Sequence, residues 1–291
     1  MRLTNYASDA LHETGPIGSS ARAAVRLKQR LARPRTEIVN RLAAAFVENP
    51  VIKLENFGGA FEVLPTSDVF RRICLKGSYE VEHSTAISQH LSQTRDAIDV
   101  GANMGFFAVL MAQTAKSVLA LEPEVGAHEI LQRNIARNQL SDRVTVIEAG
   151  ASDRSGEVEL RSVSGRPEYS SIGDIVHPSV VDQPVQTQTI TLQTIDDLVE
   201  EHDLDPAVIK LDIEGAEFAA LSGAIKTLER SRPVLLLEVS NDLLLAQGSS
   251  AKQVADLLLD HRYRLLNPVD VGQPYVERPY TDILAIPQEN S

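Results

Sequence analysis

Asp99-Val100-Gly101-Ala102-Asn103-Met104-Gly105 follows directly on Ala97-Ile98 and opens into the apolar run Phe106-Phe107-Ala108-Val109-Leu110. A short apolar strand that ends in glycines and passes into a helix is the first turn of a doubly wound α/β sheet. There, backbone N–H groups and the helix N-terminus face a ligand. Glycine is needed where a side chain would block close approach. The spacing is Gly101-x-x-x-Gly105, so the full G-x-G-x-x-G of dinucleotide binders is absent. Asn103 stands where a middle glycine often sits, and asparagine tolerates a left-handed backbone. Read alone, the loop points to a nucleotide-like ligand, with a turn made only for packing as the plain alternative.

Around this loop the chain alternates. Ser117–Leu121 and Val144–Ile147 read as strands, Phe106–Thr114 and 127–138 as helices, and the short connections imply a parallel sheet. After Asp153 the beat breaks. Glu157–Leu160 and Val185–Ile190 alternate with period two, as half-exposed strands do, and the stretch between them is polar and holds Tyr169-Ser170-Ser171 and His177. The beat then resumes with a helix from Asp196, the strand Val208–Leu211, a helix over 216–230, the apolar strand Val234–Leu237 and a helix over 251–260. Tyr263–Leu266 and Ile283–Ile286 close the chain as an antiparallel pair. Upstream, 21–47 carries helical spacing interrupted near Pro34. Val51–Leu54 and Phe61–Leu64 suggest a hairpin turning at Gly58-Gly59. The expected organisation is an N-terminal extension over 1–75, helical with a small hairpin, and one α/β domain over 76–291.

The 291 residues carry 40 Asp and Glu against 28 Lys and Arg, a net charge of −12, which argues against nucleic acid as a partner. Basic residues between Arg22 and Arg41 read as a solvated helix face. No apolar run is long enough to span a membrane and no secretory leader is visible, so a cytoplasmic location is expected. The single cysteine, Cys74, excludes an internal disulfide and a multi-cysteine zinc site, and reads as a buried hydrophobe. A homo-oligomer is compatible with the sequence.

Two acidic positions give the loop its chemistry. Glu122 ends the second strand, about twenty residues past the loop, where a carboxylate can accept both hydroxyls of a ribose. Such charge-assisted bonds contribute roughly 1.5–3 kcal/mol each. The alternative is an acid favoured by the helix dipole. Asp212, in Ile209-Lys210-Leu211-Asp212-Ile213-Glu214-Gly215-Ala216-Glu217, ends the fourth strand and points into the crevice at the carboxyl ends of the strands. Glu217 reads better as a helix N-terminal acid, whereas Glu238 ends the fifth strand on the crevice side.

These stretches together resemble the FkbM family of S-adenosylmethionine-dependent methyltransferases. The likeness rests on Asp99–Gly105, Leu121-Glu122-Pro123, Ala151-Ser152-Asp153 with Gly156-Glu157-Val158, Ser170-Ser171-Ile172, Thr194–Leu198, Ile209–Glu217 and Leu237-Glu238-Val239. Upstream, Gly77-Ser78-Tyr79-Glu80 resembles the segment that precedes the first strand in that family, so the resemblance spans roughly 77–286. It implies a Rossmann-like, class I methyltransferase fold of seven strands with the last one antiparallel. It implies methyl transfer from S-adenosyl-L-methionine to a hydroxyl on a small molecule, sugar or glycan. By position, Asp99, Gly101, Asn103 and Gly105 would hold the methionine end, Glu122 the ribose, and Ala151 with Ser152 the adenine. Tyr79 and Glu80 would close over the methionine carboxylate and amine, and Ser170-Ser171 would approach the acceptor.

An alcohol acceptor must lose a proton, which calls for a general base. Asp212 is the first choice, followed by His83, His177 and Glu238. Carboxylates of Asp212, Glu214 and Glu238 also suit a magnesium ion, which the sequence does not require. Two rival readings are a nicotinamide-dependent oxidoreductase, disfavoured by the missing glycine and by the acidic segment, and a non-catalytic scaffold that docks a partner through its N-terminal helix.

Overall fold

The computed structural model describes residues 49–173, 184–270, 273–276 and 280–288; the helical spacing over 21–47, the basic segment 22–41 and His177 lie outside the described residues. The expected hairpin is present as β1 (Val51–Leu54) and β2 (Gly59–Glu62). Its second strand starts earlier than the sequence suggested because the turn closes over Glu55–Phe57 and Gly58, whose φ of 64° suits glycine. Two helices follow, α1 (Asp68–Lys76), capped by Ser67 Oγ on the Phe70 N–H, and α2 (Val81–Ser88).

From here the strand–helix alternation runs through β3 (Asp96–Val100), α3 (Phe106–Ala112), β4 (Val118–Leu121), α4 (Val125–Arg137) and β5 (Val144–Ile147). The broken stretch is a second sheet of β6 (Gly150–Ala151), β7 (Gly156–Val163), β8 (Arg166–Ser171) and β9 (Val185–Gln193), in the order β6-β9-β7-β8. β8 is a strand that the sequence concealed. Its buried positions Pro167, Tyr169 and Ser171 alternate correctly, but only one of them is a large apolar residue.

The chain then forms α5 (Ile195–Glu201), β10 (Pro206–Leu211), α6 (Glu217–Ser222), α7 (Ile225–Arg230) and β11 (Val234–Ser240). It ends with α8 (Asn241–Ala246), α9 (Ala251–Asp260), β12 (Tyr263–Leu266) and β13 (Tyr280–Pro287). The single helix expected over 216–230 is two. Gly223 O accepts the Asp196 N–H at 2.9 Å instead of continuing the ladder. Asp196 then caps α7, with Oδ1 accepting the Thr227 N–H at 2.8 Å and Oδ2 the Lys226 N–H at 3.0 Å.

The central sheet runs β12-β13-β11-β10-β3-β4-β5. Its strands β11 to β5 are parallel, and β13 is antiparallel to both of its neighbours. This is the doubly wound fold that the loop implied, with the seven strands that the family resemblance implied. Period two sorts the strand residues. Ile98, Val100, Leu119, Leu121, Ile209, Leu211, Leu235 and Leu237 share the core that includes α5 and α9. Ala97, Val118, Ala120, Val208 and Leu236 face the opposite core, with α3, α4 and the hairpin.

The hairpin is integral to that second core. Phe57 meets Phe107 edge-on at 5.1 Å between ring centroids, and Phe61 meets Phe106 at 4.7 Å. The compact unit therefore begins at Asn49, not at the 75/76 boundary read from the sequence. Asn134, wholly buried on α4, joins the hairpin to the glycine loop. Its Oδ1 accepts the Glu62 N–H at 2.6 Å, and its Nδ2 donates to Glu62 O and Met104 O at 2.9 and 2.8 Å. Asn134→Ala orphans three buried backbone groups at roughly 1–3 kcal/mol each. Urea unfolding is expected to show a loss of at least about 3 kcal/mol.

Candidate active site

The glycines of the loop are dictated by backbone geometry. Gly101 has φ 75°, and a Cβ there would stand 2.0 Å from the carbonyl oxygen of Asp212. Gly105 has φ 87°, and its Cβ would stand 2.5 Å from Leu131 Cδ1. The N–H groups of Gly101 and Ala102 both donate to Leu121 O, so they serve the sheet and do not face a ligand as expected. Asn103 does take the left-handed conformation, at φ 49°. Its N–H donates to Glu122 Oε2 at 2.7 Å, while its Oδ1 is buried without a hydrogen-bond partner.

Glu122 lies at the end of β4, 6% exposed, with Oε1 accepting the Glu124 N–H at 2.9 Å. Burial raises its pKa to about 7 against the pull of the two N–H donors. Each carboxylate oxygen carries two lone pairs, so one on each remains for a ligand.

Asp99, Lys210, Glu238 and Asp282 lie on four adjacent strands, with the last two set two residues further along than the first two because Lys210 itself is opposite Leu236. Asp99 is in register with Lys210 and Glu238 with Asp282, and alternation places the first three on the α3 face with Ala97, Val208 and Leu236. Asp99 is fully buried and neither of its oxygens makes a hydrogen bond. Burial pushes its pKa up to about 6 despite Lys210. Lys210, 5% exposed, donates from Nζ to Asp212 Oδ2 at 3.0 Å and sits 4.8 Å from the Phe107 ring centroid. Burial opposes its charge, but Asp212, Asp99 and Glu80 outweigh that and raise its pKa. Glu238 is pushed well above the usual carboxylate range by burial and by Asp212, Glu80 and Asp282.

Tyr79 and Glu80 enter from the α2 side. Asn56 Nδ2 donates to Tyr79 O at 2.8 Å, and the Tyr79 ring packs on Phe106 at 5.5 Å. Glu80 holds a left-handed φ of 39° and is charge-coupled to Lys210, Asp99 and Glu238. His83 bridges Glu80 Oε2, 3.5 Å from Nδ1, and Asp282 Oδ2, 3.0 Å from Nε2. Burial disfavours its charge, but the two carboxylates raise its pKa to about 10, which favours the imidazolium over a free base.

Asp212 opens the loop after β10 with its Oδ2 tied to Lys210. Glu214, at φ 48°, is raised to about 8 by burial and by Asp212 and Glu217. Glu217 accepts the Gly215 N–H at 3.0 Å, the helix-start role expected of it. Asp212, Glu214 and Glu238 do not converge on a cation: among the described residues no three His, Cys, Asp or Glu are grouped to hold one. Ala151 is buried on β6, and Ser152 donates its N–H to Gln193 O at 2.9 Å, placing both beyond the end of β5. Ser170 Oγ and Glu168 Oε2 on β8 are buried and unpartnered. Cys74 is exposed, not buried as read.

Lys210 and Asp282 were missed in the sequence. The signal for Lys210 was a lysine in strand register between Ile209 and Leu211, where both sheet faces are covered. Among the described residues no helix is long and apolar enough to cross a membrane.

The Methyltransferase FkbM domain family matches residues 99–265, more than half of the chain. The hexuronic acid methyltransferase AglP of Haloferax volcanii is 25% identical over 196 residues, 65% of this chain and 74% of that protein. The methyltransferase sdnD of Sordaria araneosa is 24% identical over 152 residues, 43% of this chain and 59% of that protein. The crystal structure of Methyltransferase FkbM from Methylobacillus flagellatus is similar with a TM-score of 0.43 at 21% identity, over 67% of this chain and 44% of that one. The chain thus spans less than two thirds of the length of sdnD and of the Methylobacillus protein. On the match over 99–265, the chain belongs to the FkbM methyltransferase family.

Proposed function

We propose that the protein transfers the methyl group of S-adenosylmethionine to a hydroxyl oxygen of a small molecule or carbohydrate. The observation that carries this reading is Glu122, a buried carboxylate fixed by the Asn103 N–H of the glycine loop with lone pairs to spare. The residues present fit such a cofactor. Glu122 receives the ribose hydroxyls, and the orphaned oxygens of Asp99 and Asn103 lie on the same strand and loop, available to the methionine end. Gly101 and Gly105 would shape the loop around it, and Ala151 with Ser152 would border the adenine. Tyr79 and Glu80 would hold the carboxylate and amine. The hexuronic acid named for AglP supports a sugar-like acceptor.

The bound cofactor supplies an electrophilic methyl group, and the protein's task is alignment, which can lower a barrier by roughly 7–11 kcal/mol. Lys210 anchors Asp212 through Oδ2. The other oxygen, Oδ1, is left to accept the proton that the acceptor hydroxyl must lose. Glu238, with its raised proton affinity, is the second candidate. Ser170 and Ser171 on the β8 sheet, with Glu168, border the acceptor side.

Calorimetric titration is expected to show binding of S-adenosylhomocysteine and none of NAD; the reverse result selects the oxidoreductase reading, and no binding of either selects the scaffold. Because a ribose favours ionised Glu122, affinity for S-adenosylhomocysteine rises with pH through about 7 and falls below it. Glu122→Gln is expected to weaken binding at pH 8 and flatten that dependence. Asp212→Asn is expected to abolish methyl transfer while leaving the dissociation constant of S-adenosylhomocysteine within about threefold, a difference below 1 kcal/mol. A near-wild-type rate in that variant removes Asp212 as the base.

A further inference from the structure

His83 was weighed as a base, and its geometry denies it that role. Both ring nitrogens face carboxylates, Nε2 at 3.0 Å from Asp282 Oδ2 and Nδ1 at 3.5 Å from Glu80 Oε2. A neutral imidazole has one donor and one acceptor nitrogen, so one carboxylate would meet a lone pair; only the imidazolium satisfies both. The side chain is 15% exposed, and its partners Glu80 and Asp282 are 13% and 20% exposed. The bridge joins α2, at the start of the sheet domain, to β13, its last strand.

Glu80 needs such a tie. It is a non-glycine residue in left-handed backbone, at φ 39°. Its carboxylate feels the like charges of Asp99 and Glu238, and Asp282 lies across the bridge. On the favourable side are His83, Lys210 and the Tyr79 hydroxyl, and together they hold its proton affinity low against the effect of burial. Arg72 on α1 adds its charge from the rim. Lys210 Nζ is already bonded to Asp212, which leaves His83 as the cation bonded to Glu80 itself.

We propose that His83 is a positioning residue: its imidazolium clamps Glu80 against Asp282 of the last strand and so presents an ionised, oriented carboxylate to the ammonium group of the cofactor's methionine end. This rests on the adenosylmethionine reading above. Loss of the clamp lets Glu80 swing away or take up a proton, and the ammonium of the ligand loses its counter-ion. The effect is confined to ligands that carry that ammonium.

The test compares S-adenosylhomocysteine, which has the amino-acid end, with 5′-methylthioadenosine, which lacks it, by calorimetric titration of the full chain. In His83→Gln the dissociation constant for S-adenosylhomocysteine is expected to rise at least tenfold while that for methylthioadenosine stays within twofold. Asp282→Asn, which leaves His83 in place but weakens its anchor, is expected to show a smaller loss with the same selectivity. The melting temperature of each variant reports whether the fold is retained. Equal weakening toward both ligands, or no change toward either, overturns the clamp. If His83→Gln does not fold, the selectivity of Asp282→Asn decides. A wild-type protein that binds neither ligand overturns the cofactor reading itself, a result distinct from failure of the clamp.

Discussion

The charged face of the central sheet depends on the buried ammonium of Lys210, with the His83 imidazolium as a second cation at its edge. Desolvating a single charge costs several kcal/mol, and desolvating a row of carboxylates without a counter-ion is untenable. Lys210 is in register with Asp99 on β3 and its charge is felt by Glu238 on β11, with its Nζ on Asp212 and its flank against Phe107. Even with His83, the acids outnumber these cations, and Asp99 and Glu238 answer by holding their protons more tightly. A site left short of positive charge suits a cationic guest, and a sulfonium bearing an ammonium is one.

The backbone around this charge is equally constrained. The end of β3 and the end of β10 touch so closely that only a bare Cα fits at Gly101 beneath the Asp212 carbonyl. The loop that would cradle a cofactor and the loop that carries Asp212, the proposed base, are therefore one packed assembly. By contrast, the sheet β6-β9-β7-β8 follows the end of β5, and its outer strand β8 carries Glu168 and Ser170, which the proposed function sets toward the acceptor. Conserving the first assembly while varying the second would change the acceptor without disturbing the cofactor.

Much of this was legible beforehand because it is periodic. The strand–helix beat, the carboxylate at the end of β4 and the antiparallel closure are written in short apolar runs and their punctuation. What escaped reading depends on contacts distant in sequence. β8 has too few apolar residues to betray its alternation. The break at Gly223 is made by Asp196, a residue of α5 whose carboxylate caps α7. Asp282 looks like any polar residue until the antiparallel register sets it opposite Glu238 and beside His83. The loop glycines were recognised, but for a reason only partly right: Gly101 and Ala102 spend their N–H groups on Leu121.

The antiparallel strand β13 sets the limits of what can exist as a stable piece. It lies between β11 and β12, so among the described residues the ladder that holds β12 to the sheet runs through residues 280–287. The family match stops at 265, inside β12, and starts at 99, inside β3. It also leaves out Phe57 and Phe61, which cover the aromatic face of α3. The segment that evolution marks as the domain is thus smaller than the segment that folds. A boundary drawn where sequences stop resembling one another would cut two strands and strip one core. The cooperative unit is set by the last strand to join the sheet and by the first hairpin to close over it.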